Sequence, residues 1–111
     1  MNLQKFRDVL NSTKLPVYHG VGNGEKQCFI SWLEKKRCIL FADSSSCEIK
    51  YVLSVTYFTK KEYDEKNIIS IEKAFNDNFI SFSDCQIDYS IETGFYSYTW
   101  RTEFTDDNIS V

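Results

Sequence analysis

Only one histidine, His19, occurs in the 111 residues, so any histidine-dependent general base would have to be that side chain. It stands between Tyr18 and Gly20 with no local partner to tune it, an ordinary setting for an imidazole beside a loop. The four cysteines, Cys28, Cys38, Cys47 and Cys85, have nine, eight and thirty-seven residues between successive members. None repeats the short spacing by which two thiolates on one turn hold a zinc ion, so no metal site is expected. Cys28, Cys38 and Cys47 fall in apolar, strand-like stretches, where a thiol serves as a small core residue.

Residues 20–24, with Gly20, Gly22, Asn23 and Gly24, have the glycine content of a phosphate loop. They lack the preceding strand of a βαβ unit, the following helix and the Lys-Ser/Thr pair, and read instead as a mobile connection. Asp84, Asp88 and Glu92 recur every four residues, which on a strand would put three carboxylates on one face; alone they read as a solvated or interface face. Tyr96, Tyr98 and Trp100 alternate along the last strand-like stretch. A base-stacking platform would interleave such aromatics with several cations, and Arg101 alone is near, so the stripe points to core packing or a protein interface. With no nucleophile, base and orienter in one pattern, neither enzymatic activity nor a cofactor is expected.

The elements that must carry these residues follow from composition and periodicity. The chain is 42% hydrophobic and 16% aromatic with a single proline, far from a disordered composition, and its length suits a single domain over residues 1–111. Thirteen basic residues against sixteen acidic ones give a net charge of −3, and the longest basic run is Lys35-Lys36-Arg37. That is too little clustered positive charge for a nucleic-acid footprint. No apolar leader segment opens the sequence and no stretch approaches a membrane span, so a cytosolic location with free thiols is expected, without membrane partners.

Leu3, Phe6, Val9 and Leu10 share one face of a short helix, with Asn2 as its N-cap and Asn11-Ser12-Thr13 as its stop. Pro16 makes residues 15–19 extended or turn-like. Residues 27–33 and 37–42, separated by Glu34-Lys35-Lys36, predict a hairpin, and Asp43-Ser44-Ser45-Ser46 breaks the pattern again. From Cys47 to Phe58 the odd positions Cys47, Ile49, Tyr51, Leu53, Val55 and Tyr57 are apolar, the clearest strand in the chain. Thr59-Lys60-Lys61-Glu62 fits a capping box opening a central helix over about 60–79, with Ile68, Ile71, Phe75 and Phe79 on one stripe. Residues 80–91 have strand character, and Glu92-Thr93-Gly94 turns into a last strand over 95–104, after which residues 105–111 predict a short flexible acidic tail. The expected fold is α+β: a largely antiparallel sheet of four to six strands with the N-terminal and central helices packed on one face.

Taken from Leu15-Pro16-Val17-Tyr18 through Asp43-Ser44, the 51–58 strand, Thr59-Lys60-Lys61-Glu62-Tyr63-Asp64 and Glu92-Thr93-Gly94-Phe95-Tyr96, the chain resembles the small tail terminator (tail completion, head-tail joining) proteins of siphophages and prophages. The resemblance spans roughly residues 3–104 and rests on the succession of elements. It implies a non-enzymatic protein made in the host cytoplasm and carried in the virion tail. Such a protein forms a ring with itself, either alone or only on the tail, and meets the tail tube protein and the head connector protein. A ring needs lateral surfaces that complement each other and two end faces. On that basis the candidate interface comprises loop 20–26 (Gly22, Asn23, Gly24), loop 43–46 (Asp43, Ser44, Ser45, Ser46) and the strand bearing Tyr96, Tyr98 and Trp100. The alternative is a small monomeric cytosolic regulatory or immunity-type protein-binding domain.

Overall fold

The computed structural model describes residues 1–22 and 25–110, without the side chain of Asn108. The chain runs α1 (Leu3–Asn11), β1 (Val17–His19), β2 (Cys28–Phe41), β3 (Ser46–Thr59), α2 (Glu65–Asp77), β4 (Ser81–Phe82), β5 (Gln86–Tyr89) and β6 (Tyr96–Ser110). It is an α+β fold. The six strands form one sheet in the order β1, β2, β3, β6, with β4 and β5 both pairing the outer side of β6. All pairings are antiparallel except β1 with β2.

The alternation in β3 decides the layering. Leu53, Val55 and Tyr57 are fully buried, and register sets Val55 between Trp32 and Trp100, and Tyr57 between Ile30 and Tyr98. Both helices pack on this face. From α1 come Phe6, Val9 and Leu10, and from α2 come Ile68, Ile71 and Phe75. The Phe6 ring lies 5.5 Å from Trp32 and 5.4 Å from Phe104, while Phe75 meets Trp100 edge-on at 5.9 Å. The cap expected for α1 forms, with Asn2 Oδ1 accepting from the Lys5 amide at 2.8 Å, and Ser12 and Thr13 close the helix by donating to the Val9 and Leu10 carbonyls.

Four local expectations are corrected. Residues 34–36 form no hairpin turn. β2 is one continuous strand in which Glu34 faces Leu53 and Lys36 faces Val52, leaving Lys35 as a bulge, and the turn of the hairpin lies at 42–45. Thr59 does not cap α2. It ends β3, accepts from the Lys61 amide at 3.1 Å and donates to Asp64 at 2.9 Å, and the helix begins at Glu65. Phe79 leaves the apolar stripe because α2 closes before it. Phe79 takes a left-handed backbone (φ 57°), the Ile80 amide bonds the Phe75 carbonyl at 2.9 Å, and Ile80 is buried in place of Phe79. Residues 105–110, expected as a flexible tail, continue β6 beside β3, where Thr105 faces Lys50 and Ile109 faces Cys47. Pairing with β3, across a bulge between Asp106 and Ile109, satisfies the backbone groups on that side even though most of their side chains are polar.

The entry to α2 hangs on one buried carboxylate. Asp64 accepts from the Tyr57 hydroxyl at 2.5 Å, from Thr59 at 2.9 Å and from the Asn67 amide at 3.2 Å. Burial resists its ionisation, but the hydrogen bonds from Tyr57, Thr59 and Asn67 and the charge of Lys61 outweigh that and hold the carboxyl below its ordinary value. Burial, then the Asp64 carboxylate, pushes the Tyr57 phenol far up. A carboxyl whose folded pKa is depressed stabilises fully above the unfolded value of about 3.9 and loses that contribution as pH falls through the folded value. Asp64→Ala is therefore expected to lower unfolding free energy by about 2–3 kcal/mol at neutral pH, by stranding two buried hydroxyls. Urea unfolding should show this difference shrinking below about pH 4.

Candidate assembly surfaces

His19 sits at the end of β1, stacked on Trp32 with ring centroids 4.1 Å apart, and its Nε2 lies 2.6 Å from Glu34 Oε1. Arg7 and Gln4 line the shallow groove beside them. The group is polar and exposed but holds no serine, threonine or cysteine that the imidazole could activate. Among the described residues no three His, Cys, Asp or Glu side chains gather as a metal site. The four thiols are free. Cys47 is buried, Cys28 and Cys85 are half-buried, and Cys38, expected in the core, is exposed because the extra residue at Lys35 reverses the alternation of β2 and sets Cys38 opposite Lys50, on the face without helices. Burial, then the nearby Glu72 charge, pushes the Cys85 thiol up to about 11, which keeps it protonated and unreactive. Asp84, Asp88 and Glu92 do not share a face: Asp88 is in β5, Asp84 in the preceding loop and Glu92 in the following turn.

The expected interface residues divide three ways. Asp43, Ser44 and Ser45 are exposed at the tip of the β2–β3 hairpin, with Ser46 half-buried there. The turn is tied rather than loose, since Asp43 Oδ1 accepts from the Ser45 and Ser46 amides at 2.7 and 2.9 Å. Those bonds, the one from the Ser45 amide first, hold the Asp43 carboxyl below its ordinary value. Gly22 lies elsewhere, on the face of the sheet opposite the helices. A Cβ at Gly22 would come within 2.0 Å of the Phe29 ring, so glycine there permits the chain to cross that ring closely. Asn23 and Gly24 lie outside the described residues.

The third group is corrected. Trp100 is fully buried and donates from Nε1 to Glu72 at 3.0 Å, and Tyr98 is 8% exposed. Both point under the helices, so neither lines a docking surface; Tyr96, half-buried, packs on Tyr89 at 4.6 Å. Nor is the strand over 96–103 a lateral edge, because β5 pairs Tyr96 to Thr99 and β4 pairs Thr102 and Glu103.

Two surfaces emerge that the sequence reading did not single out. On the helix-free face Phe29, Phe58 and Phe95 cluster at 4.8–6.1 Å, with the Lys60 ammonium 5.0 Å above the Phe95 ring. Together with Gly20, Val21, Ser90 and Thr93 they border an open groove of about 370 Å³. The other surface is the far half of the sheet. The helix-packed core reaches Tyr51 and Phe104 and stops, and beyond it the ends of β2, β3 and β6 project as a three-stranded arm. The molecule is correspondingly long, 52 × 26 × 22 Å. Ile39, Leu40 and Phe41 on this arm are 44%, 65% and 61% exposed. Three consecutive apolar residues cannot all turn to one face of a strand, and that was the available signal.

No protein-family model matches the sequence, and no curated protein matches it. Among solved structures the fold is similar to that of a chain in the virion of a native gene transfer agent (GTA) particle. The TM-score is 0.55 with 12% sequence identity, over 97% of this chain and 90% of that one. The two folds correspond over nearly their full lengths.

The core and arm placements predict opposite responses. Trp100→Ala should cost about 3–5 kcal/mol of unfolding free energy in a denaturant titration. Phe41→Ser should change it by under about 1 kcal/mol.

Proposed function

We propose that this chain is a non-enzymatic virion assembly protein of a phage or prophage, of the tail terminator kind. In this reading copies form a ring on the completed end of the tail tube, stop its growth and offer a surface to the head connector. The protein acts in the host cytoplasm during assembly and remains in the virion tail. The observation that carries the reading is the full-length correspondence of fold with a gene transfer agent virion chain. The molecule's shape suits it. A long arm places the Asp43 turn at one end of the β2–β3 hairpin, while Gly22, against Phe29, and the β5–β6 turn lie towards the other, giving separate ends for separate partners. His19, the four thiols and the scattered carboxylates make no catalytic set among the described residues.

The test is assembly of the cognate tail tube protein with and without this chain, with tube lengths measured by negative-stain electron microscopy. Tubes that stop growing and carry density at one end are the expected outcome. Tubes that elongate unchanged, with the protein left in the supernatant after pelleting, would overturn the reading in favour of a monomeric protein-binding domain.

A further inference from the structure

The arm has two open edges, and they differ in charge. On β2, β1 covers Ile30, Ser31 and Trp32 only, so among the described residues 33–41 have no strand on their outer side. On β6, β5 and β4 reach no further than Glu103, so 104–110 are likewise open. Open edges present alternating unpaired amides and carbonyls, a template for another strand. The β2 edge carries Lys35, Lys36 and Arg37, all exposed. The β6 edge carries Asp106, half-buried, and Asp107, exposed. None of these five forms an ion pair among the described residues, whereas Glu103 beside them already holds Lys50 at 3.2 Å and Arg101 at 2.6 Å.

We infer that these edges are complementary and join one copy of this chain to the next, β2 of one copy lying beside β6 of its neighbour. The inference rests on the ring reading for its biological setting, but the partner, a second copy, follows from the charges. Pairing β2 with β2 would oppose three cations to three cations, and pairing β6 with β6 would oppose two carboxylates to two; like charges across a strand pair are destabilising. The mixed pairing sets cation against carboxylate and leaves each copy with one free β2 edge and one free β6 edge, the head-to-tail arrangement that propagates and can close.

Strand direction is consistent. Within one copy β2 and β6 each run antiparallel to β3 and hence parallel to each other. A joint that keeps that direction is a parallel pair. Within one copy Arg37 lies level with Phe104 and Ile39 with Asp106, so a stagger of about three residues, which strands tilted to a ring axis supply, is what brings Lys36 and Arg37 beside Asp106 and Asp107. Apolar surface is consistent too. Phe41 faces Cys47 and Cys47 faces Ile109, one row across the arm. At that stagger a neighbour added beside β6 brings its own Ile39 next to Ile109, at the end of the row.

Charge reversal in solution tests this, using the full chain. Wild type, Lys36→Glu/Arg37→Glu, Asp106→Lys/Asp107→Lys and the chain with all four changes are compared by light scattering over a concentration series. Circular dichroism and thermal unfolding confirm that each is folded. Wild type should reach a defined multiple of the monomer mass. Each one-sided variant should need about tenfold or more protein to do so, and the four-change chain should recover assembly. A wild-type assembly indifferent to both one-sided reversals overturns the edge pairing, as does failure of the four-change chain to recover, or a wild-type chain that is monomeric throughout. Tube capping is read separately, so failure of this joint and failure of the terminator reading give different results.

Discussion

Double pairing of β3 is the constraint on which the rest of the structure depends. Its residues 47–59 face β2 on one side, and 46–59 face β6 on the other. A strand held on both sides cannot slip by one residue without turning Leu53, Val55 and Tyr57 out of the core. With β3 fixed, Trp32 and Trp100 must lie on the same face as Val55, and the helices have one apolar surface to cover. Tyr57 then carries the register into α2, because its hydroxyl reaches the Asp64 carboxylate at the helix entrance. Sheet and helix are thus located by the same strand.

What β3 does not do is finish the sheet. Two helices of nine and thirteen residues are shorter than strands of fourteen and fifteen, at about 1.5 Å of rise against about 3.3 Å per residue. Spanning a fourteen-residue strand from end to end would take a helix of about thirty residues, more than twice the length of either helix. The uncovered half is therefore a consequence of element lengths. Its central residues, Cys47 at 3% and Ile49 at 7% exposure, shelter between flanking strands, while Ile39 and Phe41 do not.

Much of this was legible in the sequence where a pattern had one physical meaning. Period two over 47–58 could only be a half-buried strand, and the stripes of α1 and of α2 through Phe75 could only be amphipathic helices. Misreadings arose where one pattern serves two structures. Glu34-Lys35-Lys36 has the polarity of a turn and equally of an exposed bulge in a strand with no helix over it. Thr59-Lys60-Lys61-Glu62 has the composition of a capping box, but a buried Asp64 recruits the Thr59 hydroxyl instead. The acidic residues 105–110 lack apolar alternation because both faces of the arm are near solvent there, and pairing with a distant strand is not written in local composition. At the candidate surfaces, the Asp43 turn was visible in its small polar residues. Tyr98 and Trp100 were ambiguous, since a core stripe and an interface stripe have the same spacing until burial separates them.

The charges on the arm illustrate how a bulk property hides a local one. A net charge of −3 suggests a mildly acidic surface, and Lys35-Lys36-Arg37 alone is too short a run to bind a polyanion. Placed by the fold, the same residues occupy one open edge while Asp106 and Asp107 occupy the other. Exposed edges are commonly blunted with charge, and for protection alone either sign on either edge would serve, as would a mixture. Segregation by edge goes further, because it opposes symmetric pairing of like edges while leaving unlike edges attractive. An edge that only repels keeps a protein monomeric. Two edges of opposite sign on one sheet instead give each molecule a direction, and direction is what a closed ring requires of its subunits.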